Sequence, residues 1–418
     1  MLVFVTFVLS SVSSLRGTAR ALEILTTLVP FPLPLTPCSW WTGRLWLLRL
    51  GYYKLTRPKE MADDWVWIVD HSVQVGPEKC LLILGVRLSR LSLTSCCLGH
   101  ADVEPIELRP VRHSTGEIVW EQLEEAANKT GIPREILSDG GGDLQAGIRR
   151  FCEAHPHTCA IYDVTHKLAL LVKAFLSDTD AWSRFCQGAA QMKQRLQQTP
   201  LAALAPPAQP SKARFMNVDR LGRWASQVLD ILEADPVVTE AVRLSAQAHL
   251  DKVNWLDTFR DDVEIWATIF AIVDVTQQAV RQEGFQAHCV QEVETAIERM
   301  DLPDSVIAFR DRVLEFVRTE SAKAAPDERL VGSSEVIESV FGKVKHLEGA
   351  QSKQGFTGLI LGAAAMVAPT DQQVVRAAME TVSATEVQHW CREHVGESVQ
   401  AQRRRLFAAS TSSGTKPG

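Results

Sequence analysis

Trp65-Val66-Trp67-Ile68-Val69-Asp70 is the stretch that decides how this chain folds. Two tryptophans, two valines and an isoleucine in six positions, closed by a carboxylate, predict a short buried strand. Outward from it further strands follow. Segments 79–91 and 106–111 predict a second and a third strand, 136–139 a fourth and 159–163 a fifth. Between and after the later strands lie helical patterns at 120–129, 143–154 and 165–176, the first stopped by Gly131 and Pro133. The order β-β-β-α-β-α-β-α predicts a mixed α/β sheet of five strands with flanking helices. Sites in such sheets gather where strands end and the topology switches.

After Ser177 the strand signals stop for about 150 residues. Helical patterns fill 180–198, 218–233, 240–250, 262–283 and 303–318, with a Pro-rich linker at 199–211 and a second joint at 321–327. Helices return at 355–367, 371–382 and 386–392, and residues 410–418 read as disordered. The expected organisation is five-part. Residues 1–60 form a poorly defined basic segment, for which a truncated DNA-binding region is one reading, and 61–176 the first part of a sheet core. Residues 177–327 are an all-helical block, 328–395 the returning C-terminal helices, and 396–418 a basic tail.

Composition bounds the class. The chain has 418 residues, 46% hydrophobic and 22% charged, which suits a globular protein of two or three domains. Its nine cysteines are scattered, with no C-x-x-C pair, so neither a disulfide framework nor a zinc site is suggested and a reducing cytoplasm is expected. The run 2–9 is far short of the roughly 20 residues that span a bilayer, and no membrane partner is expected. The net charge of −6 argues weakly against nucleic acid, but the distribution matters more. Residues 1–60 carry seven Lys/Arg (Arg16, Arg20, Arg44, Arg49, Lys54, Arg57, Lys59), and the tail carries Arg403-Arg404-Arg405.

Three acidic residues stand in apolar settings. Asp70 closes the first strand, where a charge needs a partner or a metal. Asp139 closes the fourth and precedes Gly140-Gly141-Gly142, which lets backbone approach a ligand closely. Glu338 begins a helix in Ser333-Ser334-Glu335-Val336-Ile337-Glu338-Ser339-Val340-Phe341-Gly342. Singly, such residues are ordinarily caps or solvated positions. Together, two carboxylates at strand ends and one on a later helix can converge at a sheet edge. Converging carboxylates hold hard divalent cations, and paired Mg²⁺ ions cut and join phosphodiesters. His71 is expected to point away from Asp70 by strand alternation, and His155 and His157 make no convincing zinc pair.

The chain resembles the DDE transposases of bacterial insertion sequences, within the RNase H-like (retroviral integrase) superfamily. The resemblance rests on Asp-Trp-Val-Trp-Ile-Val-Asp-His at 64–71, Leu-Ser-Asp-Gly at 137–140, Ile-Glu-Ser-Val-Phe-Gly-Lys at 337–343 and Asp-Val-Thr-His at 163–166, and it covers about residues 60–350. It implies an RNase H-like sheet interrupted by a large all-α insertion between the second Asp and the Glu. It also implies metal-dependent cleavage at element ends and strand transfer into target DNA. Asp70, Asp139 and Glu338 are then the metal ligands and catalytic residues for two Mg²⁺ ions, with Mn²⁺ as a substitute. Glu338 is preferred to Glu335 because it directly precedes Ser339. His166 either positions a phosphate or water, or packs as a cap beside Asp163. Arg223-Trp224 resembles an Arg-Trp pair of related transposases, although a tryptophan on an amphipathic helix is more often core; Lys343 and Lys345 are further DNA-binding candidates. Expected partners are double-stranded DNA and a second copy of the chain, and the expected location is the nucleoid. Alternatives are a decayed or truncated, non-catalytic DNA-binding protein on the same scaffold, and an RNase H-like nuclease without strand transfer. A recognisable helix-turn-helix is missing from 1–60.

Overall fold

The apolar run at 65–70 becomes the central strand β1 (Trp65–Val73) of a five-stranded sheet in the computed structural model. The structure describes residues 1–11, 13–28, 37–73, 79–91, 95–177, 179–199, 201–208, 218–233, 253–349, 357–396 and 402–407. The other strands are β2 (Lys79–Arg87), β3 (Glu104–Val111), β4 (Glu135–Ser138) and β5 (Cys159–Tyr162), in the spatial order β3-β2-β1-β4-β5. The first three form an antiparallel meander, and β4 joins β1 in parallel. This mixed α/β sheet is consistent with an RNase H-like fold.

The strand bounds expected from sequence shift in three places. β1 runs on past Asp70 because its ladder with β2 continues to the pair Val73–Lys79. β2 stops at Arg87, where residues 88–90 tighten into a 3₁₀ turn. β5 ends one residue early because Asp163 caps the next helix instead.

The two faces of β1 are used differently. Trp65, Trp67 and Val69 join Leu81, Ile83, Ile106 and Ile136 in a buried cluster. Helices α4 (Gly116–Thr130) and α5 (Gly142–Ala154) close it with Val119, Leu123, Leu144, Ile148 and Phe151. Alternation sends Val66, Ile68 and Asp70 to the opposite face, with Leu82 across from Asp70.

Residues 1–60, which read as weakly periodic, form helices α1 (Leu2–Ser11), α2 (Leu15–Leu28) and α3 (Trp40–Thr56). The weak pattern has a cause. Helix α3 buries one face, but that face holds Gly43, Gly51 and Lys54 beside Leu47, Leu48, Leu50 and Leu55, while the apolar Trp41 stays exposed. Gly51 is one such contact: a Cβ there would stand 2.0 Å from the Leu361 carbonyl oxygen. Backbone cannot yield as a side-chain tip can. Gly51→Ala is therefore expected to cost about 1–3 kcal/mol of stability. A chemical-denaturation midpoint equal to wild type would contradict that.

The chain divides into two compact units. One comprises Met1–Leu93, Cys97–Ile161 and Ser333–Gly418, and the other Thr94–Cys96 and Tyr162–Gly332. The boundary differs from the sequence expectation of 176. Helix α6 (Val164–Ser177) joins the second unit because it packs on α9 (Arg260–Glu283) and α11 (Asp304–Ser321). Among the described residues, the regular elements from Val164 to Gly332 are helices: α6, α7 (Asp180–Leu196), α8 (Val218–Glu233), α9, α10 (Ala287–Glu298) and α11. Their core is aromatic. Phe185 lies 5.4 Å from Trp182, 4.9 Å from Trp266, and 5.7 Å from both Trp255 and Phe259, ring centroid to ring centroid. The segment Asn254–Glu283 is long and apolar enough to cross a membrane by composition alone. It carries Asp261, Asp262, Glu264 and Asp274 and packs on α6, α8, α10 and α11, as a core helix does.

The sheet unit is completed by α12 (Glu335–Gly349), α13 (Gly362–Met366), α14 (Gln372–Thr381) and α15 (Ala384–Trp390). The single helix expected at 355–367 is instead a 3₁₀ turn, Gly358–Leu361, followed by the short α13. The helix expected at 240–250 and the tail at 410–418 lie outside the described residues.

Candidate active site

The site begins with one register. Val69 of β1 pairs in parallel with Ser138 of β4, so the next residues, Asp70 within β1 and Asp139 just past the end of β4, lie side by side. Ile136 belongs to the α4/α5 cluster, so Leu137 and, two further on, the last strand-like position share the other face with Ile68 and Asp70. Both aspartates are half-buried. Asp70 Oδ1 accepts from the backbone N–H of His71 at 2.6 Å, and Asp139 Oδ1 from that of Gly141 at 3.0 Å. Gly140 sits at φ +81°, which turns the chain sharply after Asp139 and brings the Gly141 amide back to its carboxylate.

Glu338 lies in the first turn of α12, half-buried, whereas Glu335 is exposed. Helix α12 packs against β1. Its Glu348 acts electrostatically on the buried thiol of Cys80, which, like Leu82, faces away from the α4/α5 cluster. The helix carrying Glu338 thus lies on the face that bears Asp70. Burial, ahead of the charges of Glu348 and Glu107, pushes the Cys80 thiol well up, so it stays protonated.

Next to Glu338 the helix is tied to the loop before β3. His100 Nε2 lies 3.1 Å from Ser339 Oγ, and its Nδ1 lies 3.2 Å from Lys343 Nζ. Burial, and then the Lys343 charge, lower the His100 pKa, so a neutral imidazole meets the ammonium. Lys343 is half-buried there, while Lys345 is exposed.

The remaining candidates have their own partners. Asp163 is buried and its Oδ1 accepts from the His166 backbone N–H at 2.8 Å, with His166 Nδ1 at 2.9 Å. That is a helix cap at the start of α6. Trp224 is a core residue of the helical unit. It is buried, 6.4 Å from Phe185, and donates its indole N–H to the Leu204 carbonyl at 3.0 Å. Arg223 is exposed and paired with Asp219 at 3.1 Å and Asp274 at 2.9 Å. His155 is bonded to Glu124 at 3.0 Å and packs on Phe151.

The basic N-terminal segment also reads differently in three dimensions. Arg49 donates to the Val382 carbonyl at 2.6 Å, and Arg57 and Lys59 pair with Glu104 at 3.2 and 3.4 Å. Lys54 is fully buried. Four of the seven cations counted in the sequence are spent inside the fold, and Arg403–Arg405 stand exposed on a short helical stretch.

The donor set can be tested against a divalent cation. Asp70 and Asp139 are hard oxygen donors from adjacent strands on one face, and Mg²⁺ commonly binds through one or two carboxylates plus waters and substrate phosphates. The pair fits. Among the described residues, no three His, Cys, Asp or Glu side chains are gathered into a ready cation cage, so the structure does not assemble Glu338 with the two aspartates.

No family model matches the sequence, and no curated protein matches it either. Among solved structures, the chain is similar to one described as the Drosophila P element transposase strand transfer complex. The identity is 12%, over 90% of this chain and 91% of that one, with a TM-score of 0.41. A likeness of that degree carries no weight for fold or function.

Proposed function

We propose that this chain is a DNA transposase of the DDE type, cleaving at insertion-sequence ends and transferring the strand into target DNA. The observation that supports it is the register placing Asp70 beside Asp139 on the face where the Glu338 helix packs. The sequence motifs around these acids, which resemble those of insertion-sequence transposases, favour the same reading.

Asp70, Asp139 and Glu338 would hold two Mg²⁺ ions, or Mn²⁺ in their place. When bound, such ions activate the attacking oxygen and stabilise the leaving one. The chain's own contributions are mostly positional. Backbone amides of His71 and Gly141 orient the two aspartates. Lys343, Lys345 and Arg403–Arg405 supply cations for phosphates on the sheet unit, where the average charge is unhelpful. The helical unit between β5 and α12 is the family's all-α insertion, serving to grip DNA ends and a second protomer. Arg223 remains available there only by exchanging its two carboxylate partners for phosphate.

The test is cleavage of a labelled duplex carrying the element's flanking end, with Mg²⁺ or Mn²⁺, for wild type and Glu338→Gln. Metal-dependent cutting that falls by about a hundredfold or more in the variant is expected. Duplex binding without cutting by wild type would sink the catalytic reading in favour of a decayed DNA-binding protein. Cutting without joining of ends would leave a nuclease.

A further inference from the structure

A second polar cluster lies at the same strand ends, on the opposite face of the sheet. His71 follows Asp70 and turns toward α5, where its Nδ1 is 3.8 Å from Asp143 Oδ2. Its Nε2 is 3.4 Å from Ser114 Oγ, in the loop entering α4. Asp143 also holds Lys79, the first residue of β2, at 2.6 Å, and it is hydrogen-bonded to Ser114. The histidine side chain is only 6% exposed and that of Asp143 17%. Four residues from four separate elements thus meet in one half-buried network.

Its position gives it a use. His71 is covalently next to Asp70, and its backbone N–H is the donor on Asp70 Oδ1. Asp143 closes the Asp139-Gly-Gly-Gly turn and stands in the first turn of α5. The link from His71 through Ser114, which is hydrogen-bonded to Asp143, therefore joins the segment leaving Asp70 to the segment leaving Asp139, beyond the last β1–β4 backbone pair. Without it, both carboxylates sit on chain whose mutual distance no ladder hydrogen bond fixes: pairing between β1 and β4 ends at Val69–Ser138, and three glycines follow Asp139.

We infer that His71 and Asp143, braced by Lys79 and Ser114, form a latch that sets the separation of Asp70 and Asp139 from the far face of the sheet, and with it their affinity for a divalent cation. His71 and Asp143 are positioning residues: they touch neither ion nor substrate, and act through the backbone of their neighbours. The inference rests on the carboxylate-pair reading of the site. Groups that orient metal ligands from behind typically matter by 10–100-fold in metal affinity.

The experiment is Mn²⁺ titration of the full chain, followed by the electron paramagnetic resonance signal of free Mn²⁺, with thermal unfolding recorded on each sample. His71→Ala and Asp143→Asn are expected to weaken Mn²⁺ binding at least about tenfold, and His71→Gln, which keeps a donor and an acceptor in reach of Ser114 and Asp143, to restore most of it. A purely structural role would lower the unfolding temperature and leave the Mn²⁺ affinity of the folded protein unchanged; that result overturns the latch. Should His71→Ala not fold, Lys79→Met loosens Asp143 from the surface side and carries the same expectation. The two readings fail separately. If wild type binds no Mn²⁺, the carboxylate site itself is wrong and the latch falls with it. If wild type binds, Asp70→Asn does not, and the latch variants bind as wild type, the latch alone is wrong.

Discussion

Asp70→Asn abolishes metal-dependent cleavage and leaves fold and duplex binding intact: this is the expected result with the largest effect on activity. Asparagine has the volume of aspartate, and its side-chain oxygen can still accept from the His71 amide, which lies 2.6 Å from Oδ1 in the wild type. The ladder around it is also kept, since Asp70 pairs with Leu82 through backbone alone. What disappears is one negative charge and one hard ligand beside Asp139. Metal stabilisation of a phosphoryl transition state is worth several kcal/mol, and about 4 kcal/mol corresponds to a roughly thousandfold rate. Single-turnover cleavage of an end-labelled duplex, with circular dichroism and filter binding on the same preparation, measures the three properties together. A folded Asp70→Asn protein that still cuts at a tenth of the wild-type rate or faster would remove Asp70 from the site.

The fold was legible in the sequence where the physics is local. The first two strands are built on apolar runs, and Trp65-Val66-Trp67-Ile68-Val69 could not have been left in solvent. That Asp70 and Asp139 belong to strands of one mixed sheet was legible too, but their side-by-side placement comes from the β1–β4 pairing, which no local signal gives. Less legible was anything that depends on a distant partner. The seven cations of residues 1–60 read as basic surface, yet Arg49, Lys54, Arg57 and Lys59 bond to Val382, the α13 terminus and Glu104. Trp224 could be weighed either way, since a 3.6-residue pattern gives a buried face without saying what lies against it; Phe185 and Leu204 settle that. His71 was correctly sent to the far face by alternation, but its partners Asp143, Ser114 and Lys79 come from three other elements. No spacing rule links them. An acidic residue at the first turn of α5 beside a histidine at the end of β1 is a signal only once the β1–β4 register is known.

The largest expected effect on stability belongs to Lys54, which no sequence signal set apart from its exposed neighbours. Its ammonium is fully buried and donates to the carbonyls of Ala365, Val367 and Ala368 at 3.1, 2.6 and 2.8 Å, and to Thr370 Oγ1 at 2.7 Å. These carbonyls leave the end of α13, where the last turn has no intrahelical donors. The chain there also holds Ala368 at φ +57°, a left-handed conformation that costs a non-glycine residue about 1–2 kcal/mol. Two effects oppose each other in Lys54→Met. Removing the cation relieves the cost of burying it, while three buried carbonyls lose their donor. Each stranded acceptor costs about 1–3 kcal/mol, so the loss outweighs the relief and a net destabilisation of about 3 kcal/mol is expected. Titration separates the two. Burial, and after it the charge of Arg57, lower the Lys54 pKa from 10.5 to about 7. Between those values the unfolded chain binds more protons than the folded one, so wild-type stability rises with pH across that window through this group. Below pH about 7 both states carry the proton and the slope vanishes. Urea denaturation of wild type and Lys54→Met from pH 6 to 10 therefore has a defined outcome: the two curves lie furthest apart at the alkaline end, and the wild type rises more steeply than the variant, which keeps the contribution of Lys59, lowered to about 8. A variant as stable as wild type at every pH would mean that the α13 terminus is held by something other than this lysine.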